Sequence, residues 1–424
     1  MSRSWSPSRL LASGASIALA IAVMNLATYA STVLAARLLG PREYGGFAAF
    51  TGLLLVVGVL MLGLQTAGAR RVAADPDRVG QIEGMLLRVT YRCAWVVLGI
   101  CALLTPVFEI VLDLRSWVTA ALVALVVWPM TVVGGVSGIL QGERRWPPLA
   151  LLYLTMGLSR LVATLVLLWQ PTETVAAFSM VVGFAVPALV GWLALRSGAV
   201  RRDPSGTGEH TSTSVLREVG TNSHVLLAFF ALSNADVILV RAVLDSHDAG
   251  LYAGGLILVK SLLFLPQFVI VVAFPSLATA EARRTALTRS VALVLGLGAV
   301  GTVAAWVLSS VALVFVGGRE YAEIQDRLWL FAVLGTVLST IQLLIYSVVA
   351  RQSRRTVYLV WTALALLALG VSQATTVTGT LVVVTAVDSV LLVLLLAISW
   401  WRLREDDQEA RSAARARPEP ASAS

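Results

Sequence analysis

Charge is what this chain has least of. Asp, Glu, Lys and Arg together make up 13% of its 424 residues, roughly half the share of an average soluble domain. Hydrophobic residues make up 58%, and the mean hydropathy is +0.83. That balance excludes an ordinary soluble fold. There are two cysteines, Cys93 and Cys101, and both fall in one apolar stretch. A disulfide framework is thereby excluded, and the two thiols read as apolar packing. The three histidines (His210, His224 and His247) are scattered, so no metal site is indicated. No GxxxxGK[ST] phosphate loop is present, and no Ser/His/Asp, Cys/His or paired-carboxylate constellation stands out. These absences argue against an ATP-driven pump and against an enzyme, and nothing calls for a cofactor.

What is present is length of apolar sequence. Stretches of about 20 apolar residues recur from end to end, each sufficient to cross a hydrocarbon core of about 30 Å. Twelve spans are expected, at about 10–37, 44–69, 85–112, 116–140, 148–169, 174–196, 222–243, 250–277, 289–316, 327–349, 356–377 and 379–400. The basic N-terminus and the ALA at 18–20 superficially suit a cleaved signal peptide. The apolar run is too long for that and continues into the next turn.

The net charge of +8 is an orientation signal, not a nucleic-acid footprint. Arginines cluster at 3–9, 70–78, 144–145, 196–217, 283–289, 351–355 and 402–417, all on one side of the expected bundle. The other side holds only Arg42, Arg115, Arg319 and Arg327. The positive-inside rule then places both termini in the cytoplasm and makes the span count even. The loops on the arginine-poor side are short. This speaks against a membrane glycosyltransferase or polymerase, which would present a sizeable outer domain with clustered acids.

The sequence also repeats itself. Residues 35–50, AARLLGPREYGGFAAF, are echoed at 239–254, LVRAVLDSHDAGLYAG. Each copy has an arginine closing an apolar run (Arg37, Arg241), a tight acidic turn, a glycine (Gly45, Gly250) and an aromatic-alanine restart (Phe47-Ala48, Tyr252-Ala253), with one residue of slip. The domain reading follows: a six-helix lobe over 1–196, a polar linker over 197–222, a second six-helix lobe over 223–400 and a disordered tail over 401–424. Six is even, so the two lobes are parallel repeats about an axis along the membrane normal.

A charge in mid-bilayer costs at least about 2.5–3.5 kcal/mol on insertion scales, so each one invites a functional reading. Lys260 is the only lysine, against 31 arginines (32 − 1). It lies ten residues past Gly250, roughly 15 Å along its span, and Pro266 can bend the helix beside it. Asp236 in the preceding span is expected at a similar depth. Either Lys260 holds an anionic ligand, with Asp236 tuning it or carrying a proton, or the two neutralise each other. Arg160 reads as a ligand contact or as the partner of a buried acid or of helix-end carbonyls. Asp388 reads as a proton or cation coupling site or as a packing partner. Asn25 and Asn234 line a polar cavity or bond between helices. Arg88, Arg92 and Glu109 lie nearer span ends and read as snorkelling. Pro106, Pro129, Pro187, Pro266 and Pro275 suit helices that bend.

Several segments resemble one family. ARLLGPREYGGFA followed by Arg70-Arg71, GGVSGILQGERRW at 134–146, and NADVILVRAVLDSHDAGLYAGGLILVKSLLFLPQFVIVVAFPSLA at 234–278 are similar to Wzx-type polysaccharide flippases. These belong to the superfamily of multidrug, oligosaccharidyl-lipid and polysaccharide (MOP) exporters. The resemblance implies an all-α membrane protein of two six-helix lobes around a central cavity that opens alternately to each side. It further implies a sugar chain attached through pyrophosphate to a polyprenyl lipid as substrate, with the span-eight cation, here Lys260, lining the cavity.

The expected function is thus a flippase for lipid-linked oligosaccharide in the cytoplasmic membrane. Lys260, Arg160, Asn25 and Asn234 face the substrate, and Asp236 and Asp388 serve coupling or charge pairing. The expected partners are the substrate, the bilayer, and glycosyltransferases or a polymerase of the same pathway, with no nucleic acid. The alternatives are a cation-coupled drug antiporter of the same superfamily, resting on the two acids, or a non-transporting scaffold of cell-wall assembly.

Overall fold

The computed structural model of the chain describes residues 7–197, 212–264, 280–349 and 354–415. Among them there is no strand. The helices of the first half are α1 (Pro7–Val57), α2 (Val59–Ala74), α3 (Val79–Leu103), α4 (Thr105–Val111), α5 (Trp117–Gly142), α6 (Trp146–Thr164) and α7 (Glu173–Arg196). Those of the second half are α8 (Ser212–Val243), α9 (Ser246–Leu262), α10 (Ala280–Val307), α11 (Ser309–Val316), α12 (Leu328–Val349), α13 (Arg354–Val371) and α14 (Val377–Arg415).

Nine helical stretches among the described residues are long and apolar enough to cross a membrane. The first, Ser16–Ala74, has 59 residues, or nearly 90 Å at about 1.5 Å per residue. That is far more than one crossing needs, so it holds two passes. Helix α9 and the apolar part of α13, Val357–Val371, are shorter than any of the nine. Residues 265–279, which would complete the eighth expected span and include Pro266 and Pro275, lie outside the described residues. The outward surface is the inverse of a soluble protein's: Leu103, Ile110, Trp169, Val300 and Leu369 are among the most exposed side chains. Only a hydrocarbon solvent makes such a surface favourable.

The two copies of the echoed turn are built differently. The polar turn expected after Gly40 is no loop at all. Gly40 alone leaves helical geometry, with φ +67° and ψ 173°, a conformation that costs a Cβ-bearing residue dearly. Pro41, whose fixed φ suits the first turn of a helix, starts the next limb at once. In the second copy the chain breaks into two helices. The Asp245 carboxylate caps α9 by accepting from the backbone N–H groups of His247 (2.8 Å) and Asp248 (3.2 Å).

Two sequence boundaries shift. The linker expected over 197–222 is partly helix, because α8 already begins at Ser212. Val215 and Val219, one turn apart, are buried in the first lobe's core, and Glu218 ion-pairs with both Arg70 and Arg71 of α2. The tail expected to be disordered from 401 continues α14 as far as Arg415. Its run of Glu, Gln, Ala and Arg has high helix propensity, and it extends a helix already nucleated, so it avoids the cost of a new start. Of the prolines, Pro129 and Pro187 sit inside α5 and α7, and Pro106 opens α4 after the break at Leu104.

Helices α1–α7 pack mainly on one another (α1 on α6, α2 and α3 on α5, α6 on α7), as do α8–α14 (α10 on α12, α8 and α14 on α13). The lobes meet where α1 and α2 face α8 and α9. At the arginine-poor end the echoed turns pack directly against each other. A Cβ placed on Gly45 would stand 3.1 Å from the Cα of Gly250, and one on Gly250 would strike the Pro41 carbonyl. The two equivalent glycines thus meet at the lobe boundary, and around them Phe47, Phe50, Val237, Val240, Leu251 and Tyr252 form a single apolar core.

Candidate functional site

Helix α6 carries Arg160, and α9 carries Lys260. They come from opposite lobes, yet both lie in one electrostatic neighbourhood together with Asp236. Arg160 is poorly bonded. Its Nη2 donates to the Thr32 hydroxyl at 3.4 Å, and its buried Nε has no partner. The Tyr44 phenol of the second limb of α1 faces it, and Gly183 of α7 packs on its stem. Among the described residues Lys260 makes no hydrogen bond and no ion pair. Tyr29 of α1 comes within reach of Ser261 beside it. Two cations with unused donors in the interior of a membrane protein are costly unless an anion visits them.

Of the two readings of Asp236 and Lys260, direct ion pairing is not found among the described residues, although each lies in the other's electrostatic reach. The Asp236 carboxylate, 2% exposed, accepts from the Val237 backbone N–H at 2.8 Å and from the Tyr252 hydroxyl at 3.0 Å. Tyr252 wins because α9 carries it eight residues before Lys260, and its rigid ring delivers a hydroxyl without taking a second charge out of water. Asp388 of α14 is also buried, lies in the electrostatic reach of both Asp236 and Tyr252, and leaves its Oδ1 without a partner. The two acids singled out from the sequence therefore share one corner of the second lobe, joined through a tyrosine.

The asparagines divide. Asn234 is buried and bonds its own helix, donating from Nδ2 to the Phe230 carbonyl at 2.9 Å. It packs against Gly52 where the lobes touch, and its Oδ1 has no partner among the described residues. Asn25 lies beside Met24, whose backbone touches Gly157 of α6 one turn before Arg160, on the same side of the first lobe as that arginine. No group of three or more His, Cys, Asp or Glu that could hold a metal occurs among the described residues.

Sequence reading missed a second polar cluster, at the arginine-poor end. Glu173, first residue of α7, was assigned to a loop; it is 1% exposed, and neither carboxylate oxygen has a hydrogen-bond partner. Its backbone N–H donates to Glu43, which pairs with Arg115, and Arg241 of α8 is within electrostatic reach. Arg241 donates across the lobe boundary to the carbonyls of Leu112 (3.2 Å) and Asp113 (2.8 Å). Arg37, its echo, donates to the Val314 carbonyl, and the Tyr321 hydroxyl donates to the Ala36 carbonyl at 3.1 Å. Both echoed arginines thus tie one lobe to the other at the end where the chain turns. Their position at the close of matching apolar runs was the available signal.

Comparison with solved structures places this architecture. The chain is similar to a multidrug-resistance MATE transporter of the MOP superfamily solved in an inward-facing conformation (TM-score 0.66, 11% identity, covering 91% of this chain and 96% of that one). It is also similar to the eukaryotic MATE transporter AtDTX14 (TM-score 0.61, 16% identity, 95% and 97%). A third is a MOP superfamily transporter from Pyrococcus furiosus, whose description proposes a different function from the reversed polarity of its binding pocket (TM-score 0.57, 13% identity, 92% and 94%). At these identities the likeness establishes the fold. No curated protein sequence matches the chain. The family model described as "polysaccharide biosynthesis protein" matches residues 10–281, well over half the length. The match runs through the whole first lobe and on past Asp236, Tyr252 and Lys260, and the chain belongs to the polysaccharide biosynthesis protein family.

Proposed function

We propose that the chain translocates a polyprenyl-pyrophosphate-linked oligosaccharide across the cytoplasmic membrane by alternating access. The observation that carries this reading is that Arg160 and Lys260, one from each lobe, lie within electrostatic reach of each other with their donors largely unused. A pyrophosphate is a dianionic, acceptor-only group, and two cations facing one interior volume suit it. In a low effective dielectric each charge counts for more than it would in water. Because the cations sit on different lobes, rocking of one lobe on the other changes their separation and hence the grip on the ligand. The lipid tail stays in the bilayer between the lobes.

The contacts at the arginine-poor end, made by Gly45, Gly250, Arg37, Arg241 and Tyr321, are those that opening on that side breaks. With the arginine-rich end in the cytoplasm, the described state is closed outward, and the sugar chain is loaded from the side where it is made. Glycosyltransferases or a polymerase of the same pathway are then its partners. In this reading Asp236 and Asp388 couple transport to a proton or cation.

One observation favours a second reading, a cation-coupled drug antiporter. Asp388 Oδ1 is buried and unpartnered next to Asp236, which suits a cationic ligand rather than an anionic one. Deleting the gene separates the two. Accumulation of a lipid-linked oligosaccharide on the cytoplasmic leaflet supports the flippase, and restored export by Lys260→Ala, with the protein present in the membrane, would sink it. Altered susceptibility to cationic dyes, dependent on Asp236 and Asp388 but not on Lys260, favours the antiporter.

A further inference from the structure

A cluster of amides in the first lobe lies apart from every group used so far. Gln65 of α2 donates from Nε2 to the Tyr153 hydroxyl of α6 at 2.8 Å and to Oε1 of Gln141 of α5 at 3.2 Å. Gly138 allows the meeting. A Cβ there would stand 2.9 Å from the Cα of Gln65, so the backbones of α2 and α5 approach closely, and the side chain three residues on faces Gln65. Gln141 is exposed immediately after ten consecutive buried residues, 131–140. Amides in apolar helices are not left facing lipid, so this group faces water.

What the three side chains leave over is specific. The bonds formed use one Gln65 amino group, one Gln141 oxygen and one lone pair of Tyr153. Gln65 Oε1, Gln141 Nε2 and the Tyr153 hydroxyl hydrogen have no partner among the described residues, and they offer donors and acceptors side by side. Arg160 and Lys260 offer donors only. A phosphate needs donors; a sugar ring, whose hydroxyls both give and accept, needs a mixed set next to an aromatic. Tyr153 and Arg160 are seven residues apart on α6, which puts them on the same helix face about 10 Å apart. Tyr153 lies toward the arginine-rich end.

We propose that Gln65, Gln141 and Tyr153 form the subsite for the first sugar ring of the substrate, two helical turns from Arg160. The proposal rests on the flippase reading. It makes these three residues the determinants of which glycan is accepted, while the cations accept any polyprenyl pyrophosphate.

The test uses the full chain in nanodiscs and three probes: undecaprenyl pyrophosphate, and the same lipid carrying one N-acetylglucosamine or one galactose. The wild type is expected to bind at least one glycosylated probe about fivefold or more tightly than the bare lipid. Gln141→Ala, at an exposed position, and Tyr153→Phe, which keeps the ring, should each lower that preference about threefold or more, down to parity at most, as expected for losing one hydrogen bond, with affinity for the bare lipid unchanged. Lys260→Ala should weaken all three probes alike. Equal binding of all probes by the wild type, or a preference that survives both substitutions, overturns the subsite and leaves the flippase reading standing. Failure of the wild type to bind any probe removes that reading, and the subsite with it.

Discussion

The first lobe has Thr32, Phe47 and Leu55 where the second has Asp236, Tyr252 and Lys260, counting from the shared arginines and glycines. These three differences are one change. A buried aspartate needs a donor, and Tyr252 supplies the hydroxyl that Phe47 lacks. With the carboxylate so held, Lys260 is left without a bonded partner, whereas Leu55 at the corresponding place turns partly outward. Thr32, in turn, accepts from Arg160, a cation that arrives from another helix. Each lobe therefore contributes one interior cation by a different route, although the turns match in sequence. The echoed turns match in sequence, and the departures from that match fall at the buried charges.

The sharpest way to break the comparison is at the glycines that meet at the lobe boundary. Gly250→Ala drives a Cβ into the Pro41 carbonyl, which belongs to backbone and cannot swing aside. It should force the lobes apart at the arginine-poor end and destabilise by about 3 kcal/mol, at the upper end for overpacking. Gly45→Ala meets Gly250 at 3.1 Å and should cost nearer 1 kcal/mol. Thermal unfolding in detergent, with spin-label distances across that end, would show the asymmetry; equal effects would mean that the packing is not as described.

A smaller effect sharpens the coupled set. Tyr252→Phe leaves Asp236 Oδ2 without its side-chain donor and should destabilise by about 1–3 kcal/mol. Adding Asp236→Thr, which completes the first lobe's combination, should recover part of that loss, a coupling that a double-mutant cycle reads directly. Strict additivity would show that the hydroxyl and the carboxylate do not act together.

The smallest effect lies in the turns. Asp245→Ala removes the cap of α9 and should cost about 1 kcal/mol. The backbone N–H groups of Asp248 and His247 hold the Asp245 carboxyl below the ordinary range. Its folded value is thus lower than its unfolded value of about 3.9. The contribution is complete above that value and fades as the pH falls through the folded one. Wild type and variant should differ by the same amount from pH 5 to 8 and converge toward pH 3. Gly40→Ala, which strains a positive φ by about 1–2 kcal/mol, should show no such convergence.

Much of the frame was legible in the sequence because hydrophobicity is read locally. The apolar runs gave the helices, and the echo gave the two lobes. Of the site, Lys260, Arg160, Asp236 and Asp388 stood out because charge is rare in such runs, and the structure brings all four into one interior region. The asparagines carried less, since a neutral amide bonds as readily within its own helix as to a ligand; Asn234 Nδ2 donates within α8, while its Oδ1 has no partner among the described residues. Glu173 was missed because it follows a Gln-Pro-Thr stretch that reads as loop, and only the close packing of Gly46 against it reveals its burial. The boundaries at 222 and 401 were missed for a related reason. Polar helix carries no apolar period, and its ends are set by contacts such as that of Glu218 with Arg70 and Arg71.

The sequence by itself determined that this protein lives in a membrane, that it is built from a repeated unit, and how far along each helix its few charges lie. Hydropathy adds up residue by residue, and each residue advances an α-helix by the same 1.5 Å. Only the tertiary structure decided which charges find partners. It gave Asp236 to Tyr252 rather than to Lys260, and it brought Arg160 of one lobe within electrostatic reach of Lys260 of the other. Depth along a helix is a property of one chain segment; the direction a side chain faces at that depth depends on how every neighbouring helix is rotated and packed.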